Sequence, residues 1–257
     1  MNSKSRAVVF DIERLRDYSR DCPLIDLFLP DGLDRDSVES LAAICKGRAS
    51  LETGAHLFLQ EDHFNSLYTV RQGALKSYFL DKDGRERVTG FSLPGDLLGL
   101  DAVYSGVHRC SAQALAASSL CQVPFTKLEK VADQVPELHR QLVRLMSREI
   151  ADQQIRAADH TALERVAGFL LDLTRRSQQR GFPVEALKLD MSRSDIANYL
   201  RLATETVSRS LSDLQRAGLI KIHLRDIKIV DPERLRISAG SMTTAPEWSA
   251  DHARYRD

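Results

Sequence analysis

Between Leu51 and Phe125 glycine recurs almost metrically: Gly73, Gly84, Gly95 and Gly106 stand 11 residues apart, with Gly54, Gly90 and Gly99 among them. Turn signals at roughly 8–12-residue spacing mark short strands of an all-β sandwich or barrel. Between the glycines lie β-prone runs at 56–59, 67–70, 75–80, 87–91 and 120–125. The turns are explicit as well. Asp81, Asp83 and Gly84, and then Pro94, Gly95 and Asp96, supply residues that tolerate a left-handed or a fixed φ. This segment reads as a β-roll.

After Asp133 the period becomes that of a helix. Pro136 suits a first turn, and Leu138, Leu142, Leu145, Met146 and Ile150 recur at three- and four-residue steps. A narrow apolar seam on a long, otherwise charged helix suits a dimer coiled coil; the alternative is a helix packed on its own β-domain. Thr161 and Glu164 form a capping-box pattern, so a separate helix starts there and runs through Val166, Leu170 and Leu173 towards Gly181. The expected organisation is a β-roll at 22–133, a dimerisation helix at 134–159, a second domain at 160–236 and a tail at 237–257. Around Trp248 that tail holds mostly Ser, Thr, Ala, Pro and charges without a period, and disorder is expected.

The chain has 257 residues, with 36 Lys+Arg against 36 Asp+Glu, so no chain-wide field attracts nucleic acid or membrane. Locally the balance differs: residues 160–236 carry 14 basic and 10 acidic side chains, the sign that suits phosphate. No apolar run approaches the roughly 18 residues of a membrane span, and no signal-peptide stretch opens the chain; a cytoplasmic protein without a membrane partner is expected. Cys22, Cys45, Cys110 and Cys121 are too dispersed for zinc-ligand spacing, so no metal site is assigned.

Ser192, Arg193, Ser194 and Asp195 can cap a short helix with apolar positions at Ile196, Ala197 and Leu200. A break at Arg201, Leu202 and Ala203 follows, then a second helix from Thr204. This is a helix-turn-helix pattern: Ala197 is small where the helices approach, and Leu202 and Val207 close on a core. Glu205, Thr206, Ser208 and Arg209 are left to face outwards. A guanidinium can donate two hydrogen bonds to guanine, and a carboxylate can accept from the cytosine amino group. The alternative for Glu205 and Arg209 is a surface ion pair one turn apart, worth about 0.2–0.5 kcal/mol. Gly218 can end the helix, and 220–224 and 227–230 alternate as two strands of a wing. There Lys221, His223, Arg225 and Lys228 are placed to reach phosphate, or simply to form a solvated face. Arg225-Asp226 at the tip lacks the glycine that two-residue turns prefer, which leaves the register open.

The order of β-roll, long helix and winged helix-turn-helix, together with Thr204-Glu205-Thr206-Val207-Ser208-Arg209, resembles the CRP/FNR family of bacterial transcription regulators. The FNR branch is most similar, through the segments at 66–68, 73–78, 89–91, 95–99 and 193–200. The resemblance covers about 22–236. It implies an α+β fold with a cupin-like, cyclic-nucleotide-binding-type β-roll and a homodimer paired through the long helix. It also implies base reading by Glu205, Ser208 and Arg209, support or backbone contact from Ser192, Arg193, Thr204, Thr206, Lys221 and Lys228, and RNA polymerase contact by β-domain loops including 81–87.

The sensing half departs from the family pattern. Members that bind cyclic AMP carry a Glu and an Arg-Ser pair where this chain has Leu100 and Cys110-Ser111, and Arg109, one residue away, faces the other side of a strand. Cyclic AMP is therefore not expected. Oxygen sensors of the FNR branch hold an iron–sulfur cluster on four cysteines. Cys22 and Cys121 match two of them, but Ser19 and Phe28 replace the others, which disfavours a cluster. A redox pair of Cys22 with Cys121, or a relic of a lost site, remain alternatives. His56, His63 and His108 raise haem ligation, and none is assigned.

The leading expectation is a homodimeric, sequence-specific regulator binding double-stranded DNA at a near-palindrome, its signal left open between oxygen or redox state through a cluster or thiols, another ligand, and none. Its rivals are a constitutive DNA-binding protein without a sensed ligand, and a non-DNA regulatory module with a nucleotide-binding β-roll. No GxxxxGK[ST], GxSxG or HExxH motif is present, so no catalytic residue is assigned and an enzyme is not expected.

Overall fold

The computed structural model describes residues 41, 43–45, 47–179 and 187–242. The chain separates into two compact units: residues up to Ser77 with Phe91–Leu142, and Tyr78–Gly90 with the chain from Val143 onwards. The fold is α+β, with a β-roll, a long helix and a winged helix-turn-helix.

Strands β1 (Gly47–Leu51), β2 (His56–Phe58), β3 (Ser66–Gln72), β4 (Leu75–Leu80), β5 (Glu86–Ser92), β6 (Leu97–Leu98), β7 (Ser111–Ala114) and β8 (Ser118–Pro124) form two four-stranded sheets. Their orders are β1-β8-β3-β6 and β2-β7-β4-β5. Val70, Leu98 and Leu120 come from the first sheet, and Phe58, Leu75 and Ala112 from the second; together they make one buried cluster. Three side chains from each inner face therefore close a sandwich. The four metrical glycines all have positive φ. Gly73 is the most constrained of them. At φ +90° it turns β3 into β4 against β8, where an added Cβ would lie 2.2 Å from Ser118 Oγ and 2.6 Å from the Ala117 carbonyl oxygen.

Helix α1 (Phe125–Gln134) follows β8 and buries Leu128 and Ala132. Helix α2 (Pro136–Ala157) starts at the expected proline. Within its first turns Leu138 is fully buried inside the chain, whereas Val143, Met146 and Ile150 are exposed. No helix among the described residues is long and apolar enough to cross a membrane.

In the second unit, α3 (Ala162–Gln179) begins with the expected capping box. Thr161 N–H donates to Glu164 Oε2 at 2.7 Å, and Glu164 N–H donates to Thr161 Oγ1 at 3.3 Å. The Thr161 N–H bond first, and then one from the Thr161 hydroxyl to Glu164 Oε2 at 2.8 Å, hold the Glu164 carboxyl below its ordinary pKa. Strand β9 (Leu187–Lys188), helices α4 (Arg193–Leu200) and α5 (Thr204–Arg216), strands β10 (Ile220–His223) and β11 (Asp226–Ile229), and helix α6 (Pro232–Ala239) follow. Regular structure continues past Arg236 through a 3-10 turn at Gly240–Met242, where Met242 is buried. Gly168 of α3 permits this approach, since a Cβ there would meet Met242 Cβ at 2.7 Å. Trp248 and the rest of the expected tail beyond 242, and Gly181 at the end of α3, lie outside the described residues.

Between α4 and α5 the chain turns at Arg201, whose φ of 55° and ψ of 47° are left-handed. Its N–H donates to the Asn198 carbonyl, and Leu202 N–H donates back to the Ala197 carbonyl at 2.9 Å. A glycine-free left-handed residue costs roughly 1–2 kcal/mol.

Two substitutions test this framework by chemical denaturation. Gly73→Ala is expected to destabilise the first unit by about 2–4 kcal/mol, combining left-handed strain with a clash against rigid backbone. Arg201→Gly is expected to stabilise the second unit by about 0.5–1 kcal/mol, because relief of strain exceeds the extra entropy of the unfolded chain.

Candidate nucleic-acid interface

The first helix of the pair is fixed at both ends. Ser192 Oγ accepts from Asp195 N–H at 3.0 Å, and Ser192 N–H donates to Asp195 Oδ2 at 3.2 Å, closing a capping box. At the other end Arg165 of α3 donates from Nη1 to the Leu200 carbonyl at 3.1 Å and from Nε to the His160 carbonyl at 3.1 Å. Ile196, Ala197 and Leu200 are buried, so α4 is a support.

Helix α5 rests on that support through Val207, Ser210, Leu211 and Leu214, all buried. Burying each aliphatic chain contributes about 1.5–3 kcal/mol, enough to set the rotation of the helix. That rotation leaves Thr204, Glu205, Ser208 and Arg209 exposed and Thr206 half-buried. Neither Glu205 nor Arg209 has an ion pair or side-chain hydrogen bond among the described residues, so the i,i+4 pair is not formed. A free carboxylate and a free guanidinium thus stand one turn apart on one exposed edge. At the start of α4, Arg193 is half-buried; burial lowers its pKa, and its Nη1 has no hydrogen-bond partner among the described residues.

After α5, Gly218 at φ +75° lets Leu219 N–H reach back to the Leu214 carbonyl at 3.0 Å. The wing register pairs Ile220 with Ile229, Lys221 with Lys228, Ile222 with Ile227 and His223 with Asp226. The two-residue turn is therefore Leu224-Arg225, one position earlier than the Arg225-Asp226 tip, with Leu224 at φ 54°. Ile220 and Ile227 are buried, while Lys221 and Lys228 are exposed directly opposite each other. Like charges in that relation repel, and an anion between them relieves the repulsion. Sequence reading missed the third strand: β9 pairs with β11 and sets Lys188 opposite Asp226. A two-residue strand offers no period by which to find it.

The β-roll shows different chemistry. Cys110, at the position of the family's phosphate-binding arginine, directs its thiol to Asp101 Oδ2 at 3.5 Å, and the Arg109 backbone N–H donates to the same oxygen at 2.9 Å. Burial and the Asp101 charge push the Cys110 thiol up to about 12, so it is protonated at neutral pH. A carboxylate at this point repels a cyclic phosphate. Leu100 starts a short 3-10 turn, Leu100–Ala102, and supplies no ribose acceptor.

Cys121 is buried in β8, where its thiol donates to the Cys45 carbonyl at 3.0 Å; Cys22 lies outside the described residues. Among the described residues no three His, Cys, Asp or Glu side chains gather as metal ligands. With Ser19 and Phe28 at two of the four family cluster positions, the residues present do not supply the four thiolates of that site. His108 is buried and stacked on Phe58 at 3.6 Å, its pKa lowered by burial, whereas His56 and His63 are exposed.

Residues 48–135 match the family model of a cyclic nucleotide-binding domain, and residues 164–237 that of a Crp-like helix-turn-helix domain. The transcriptional activator protein Anr of Pseudomonas protegens is 43% identical over 226 residues, covering 87% of this chain and 93% of that protein. The fumarate and nitrate reduction regulatory protein of Escherichia coli K12 is 38% identical over 226 residues, covering 87% of this chain and 90% of that protein. Among solved structures, FixK2 from Bradyrhizobium japonicum has a TM-score of 0.66 at 34% identity, covering 74% of this chain and 96% of that one. With the exposed edge of α5 and the wing already in place, these likenesses show that the chain is a DNA-binding transcription regulator of the CRP/FNR family, on its FNR-like branch.

Proposed function

We propose that two copies of the chain bind a near-palindromic operator, each laying α5 in a major groove, the two grooves about 34–36 Å apart along one face of the duplex. Glu205, Ser208 and Arg209 read base edges. Lys221 and Lys228 contact backbone phosphate, joined by Thr204, Thr206 and the half-buried Arg193, while Ser192 frames the helix pair. The observation that carries this reading is the exposed edge of α5, with Glu205 and Arg209 unpaired above a fully buried Val207. Side chains free in the absence of DNA need break no internal bond to meet a base.

The dimer forms along α2. Val143, Met146 and Ile150 recur at three and four residues and are exposed in the single chain, with Leu142 and Leu145 partly covered beside them. Leu138 serves the subunit's own core rather than the seam. Relatives named as transcriptional activators support activation, with the 81–87 loop meeting RNA polymerase in the cytoplasm. No catalytic step is assigned. Asp101 and Cys110 in place of a phosphate-binding arginine favour DNA binding independent of cyclic AMP. Ser19 and Phe28 in place of two cluster cysteines favour a regulator without the conventional cluster.

Binding measurements over operator variants and salt concentrations separate the two classes of contact. Arg209→Ala is expected to weaken operator binding by about 1–3 kcal/mol and to relax selectivity at one base pair of each half-site. An unchanged selected sequence contradicts its reading role. Lys228→Ala is expected to weaken binding to all sequences alike and to reduce the salt slope by about one per subunit.

A further inference from the structure

The hairpin segment Tyr78–Gly90 belongs to the same compact unit as the helix-turn-helix, and the Asn198 side chain joins them. The Val88 backbone N–H donates to Asn198 Oδ1 at 3.0 Å, and Asn198 Nδ2 donates to the Glu86 carbonyl at 2.8 Å. In an extended strand the carbonyl of one residue and the N–H two residues on point to the same side. The Asn198 amide therefore pairs with β5 as one residue of a parallel neighbour would, accepting from one peptide and donating to the other. β5 is the last strand of its sheet, so this edge has no strand partner among the described residues.

Between the two bonded peptides stands Arg87, whose Nε donates to Asp81 Oδ2 at 2.9 Å. Asp81 in turn accepts from the Asp83 and Arg85 N–H groups at 3.0 Å each. These bonds, chiefly the one from Arg85, hold the Asp81 carboxyl below its ordinary pKa. The loop from Asp81 to Arg87 is thus braced within itself and attached at its return strand to α4, the helix on which α5 rests.

We propose that Asn198 is a positioning residue that acts as an extra strand on the edge of β5, fixing the 81–87 loop to the support of the reading helix so that DNA-bound protein presents that loop in one orientation. The proposal rests on the reading of that loop as the polymerase-facing surface. Ala at 198 removes both bonds, whereas Asp keeps the acceptor for Val88 N–H and loses the donor to Glu86.

The test compares full-length wild type, Asn198→Ala and Asn198→Asp by residue-resolved amide hydrogen exchange, operator binding and transcription with purified bacterial RNA polymerase. In Asn198→Ala, amides of 82–88 are expected to exchange about tenfold faster or more, while Ile196, Ala197 and Leu200 keep their protection. Operator affinity is expected to stay within about threefold and transcript yield to fall by a larger factor. In Asn198→Asp the Val88 amide is expected to remain protected. Unchanged exchange at Val88 in the alanine variant overturns the clamp. Faster exchange spread equally over α4 reduces Asn198 to a structural role and overturns it as well. A released loop with undiminished transcription overturns the positioning function. Failure of the wild type to bind any operator refutes the DNA reading itself and leaves the exchange result standing as a separate answer.

Discussion

A helix proposed to read DNA has to be held from behind, and here the hold is the burial of Val207, Leu211 and Leu214 against the α3–α4 scaffold. At about 1.5–3 kcal/mol for each buried aliphatic chain, these anchors outweigh by several-fold the roughly 0.2–0.5 kcal/mol available from a surface ion pair on the opposite face. The apolar side therefore sets the rotation of α5. Glu205, Ser208 and Arg209 are left where that rotation puts them, exposed and without a side-chain partner among the described residues. Capping of α4 at Ser192 and the bonds from Arg165 to its last turn complete the support, so the edge offered to DNA is rigid at its base and free at its tips.

What was legible in the sequence is what repeats or punctuates. The glycine meter predicted turns, and Gly73, Gly84, Gly95 and Gly106 all have the left-handed φ that makes glycine the suitable residue. The capping boxes at Thr161 and Ser192 were readable because a hydroxyl and a carboxylate three residues apart do the same chemistry wherever they occur. Less visible were β1, β7 and β9, whose Ala, Ser and Lys carry no strand preference and which are strands because a neighbour supplies hydrogen bonds. Arg201 and Leu224 took left-handed conformations that their residue types disfavour, since tertiary closure of a helix pair and of a hairpin decided the backbone there. The contacts of Asn198 were unreadable for a related reason: a side chain that pairs with a strand 110 residues away leaves no local pattern.

The β-roll separates fold from ligand chemistry. Its core draws on Phe58, Val70, Leu75, Leu98, Ala112 and Leu120, none of which belongs to the positions where cyclic-nucleotide-binding relatives are expected to hold ligand. Those positions can change without loss of the sandwich. Here they carry Leu100 and a protonated Cys110 facing Asp101, a combination that offers an anion neither a positive charge nor an unobstructed donor. His108, one of the few titratable groups inside the roll, is stacked on Phe58 and held towards its neutral form by burial, so it behaves as a core aromatic.

Zero net charge is compatible with DNA binding because the attraction is built locally. On the wing, Lys221 and Lys228 face each other across two strands, a like-charge arrangement that is unfavourable in the free protein. Folding alone does not explain it, since Ile220 and Ile227 on the buried face would close the same hairpin with one lysine replaced by an acid. In the proposed complex, a phosphate between the two ammonium groups would turn that repulsion into two favourable contacts and release counterions from the duplex. The lysine pair is unfavourable by itself and is relieved by an anion, which suits the phosphate contact proposed for this wing.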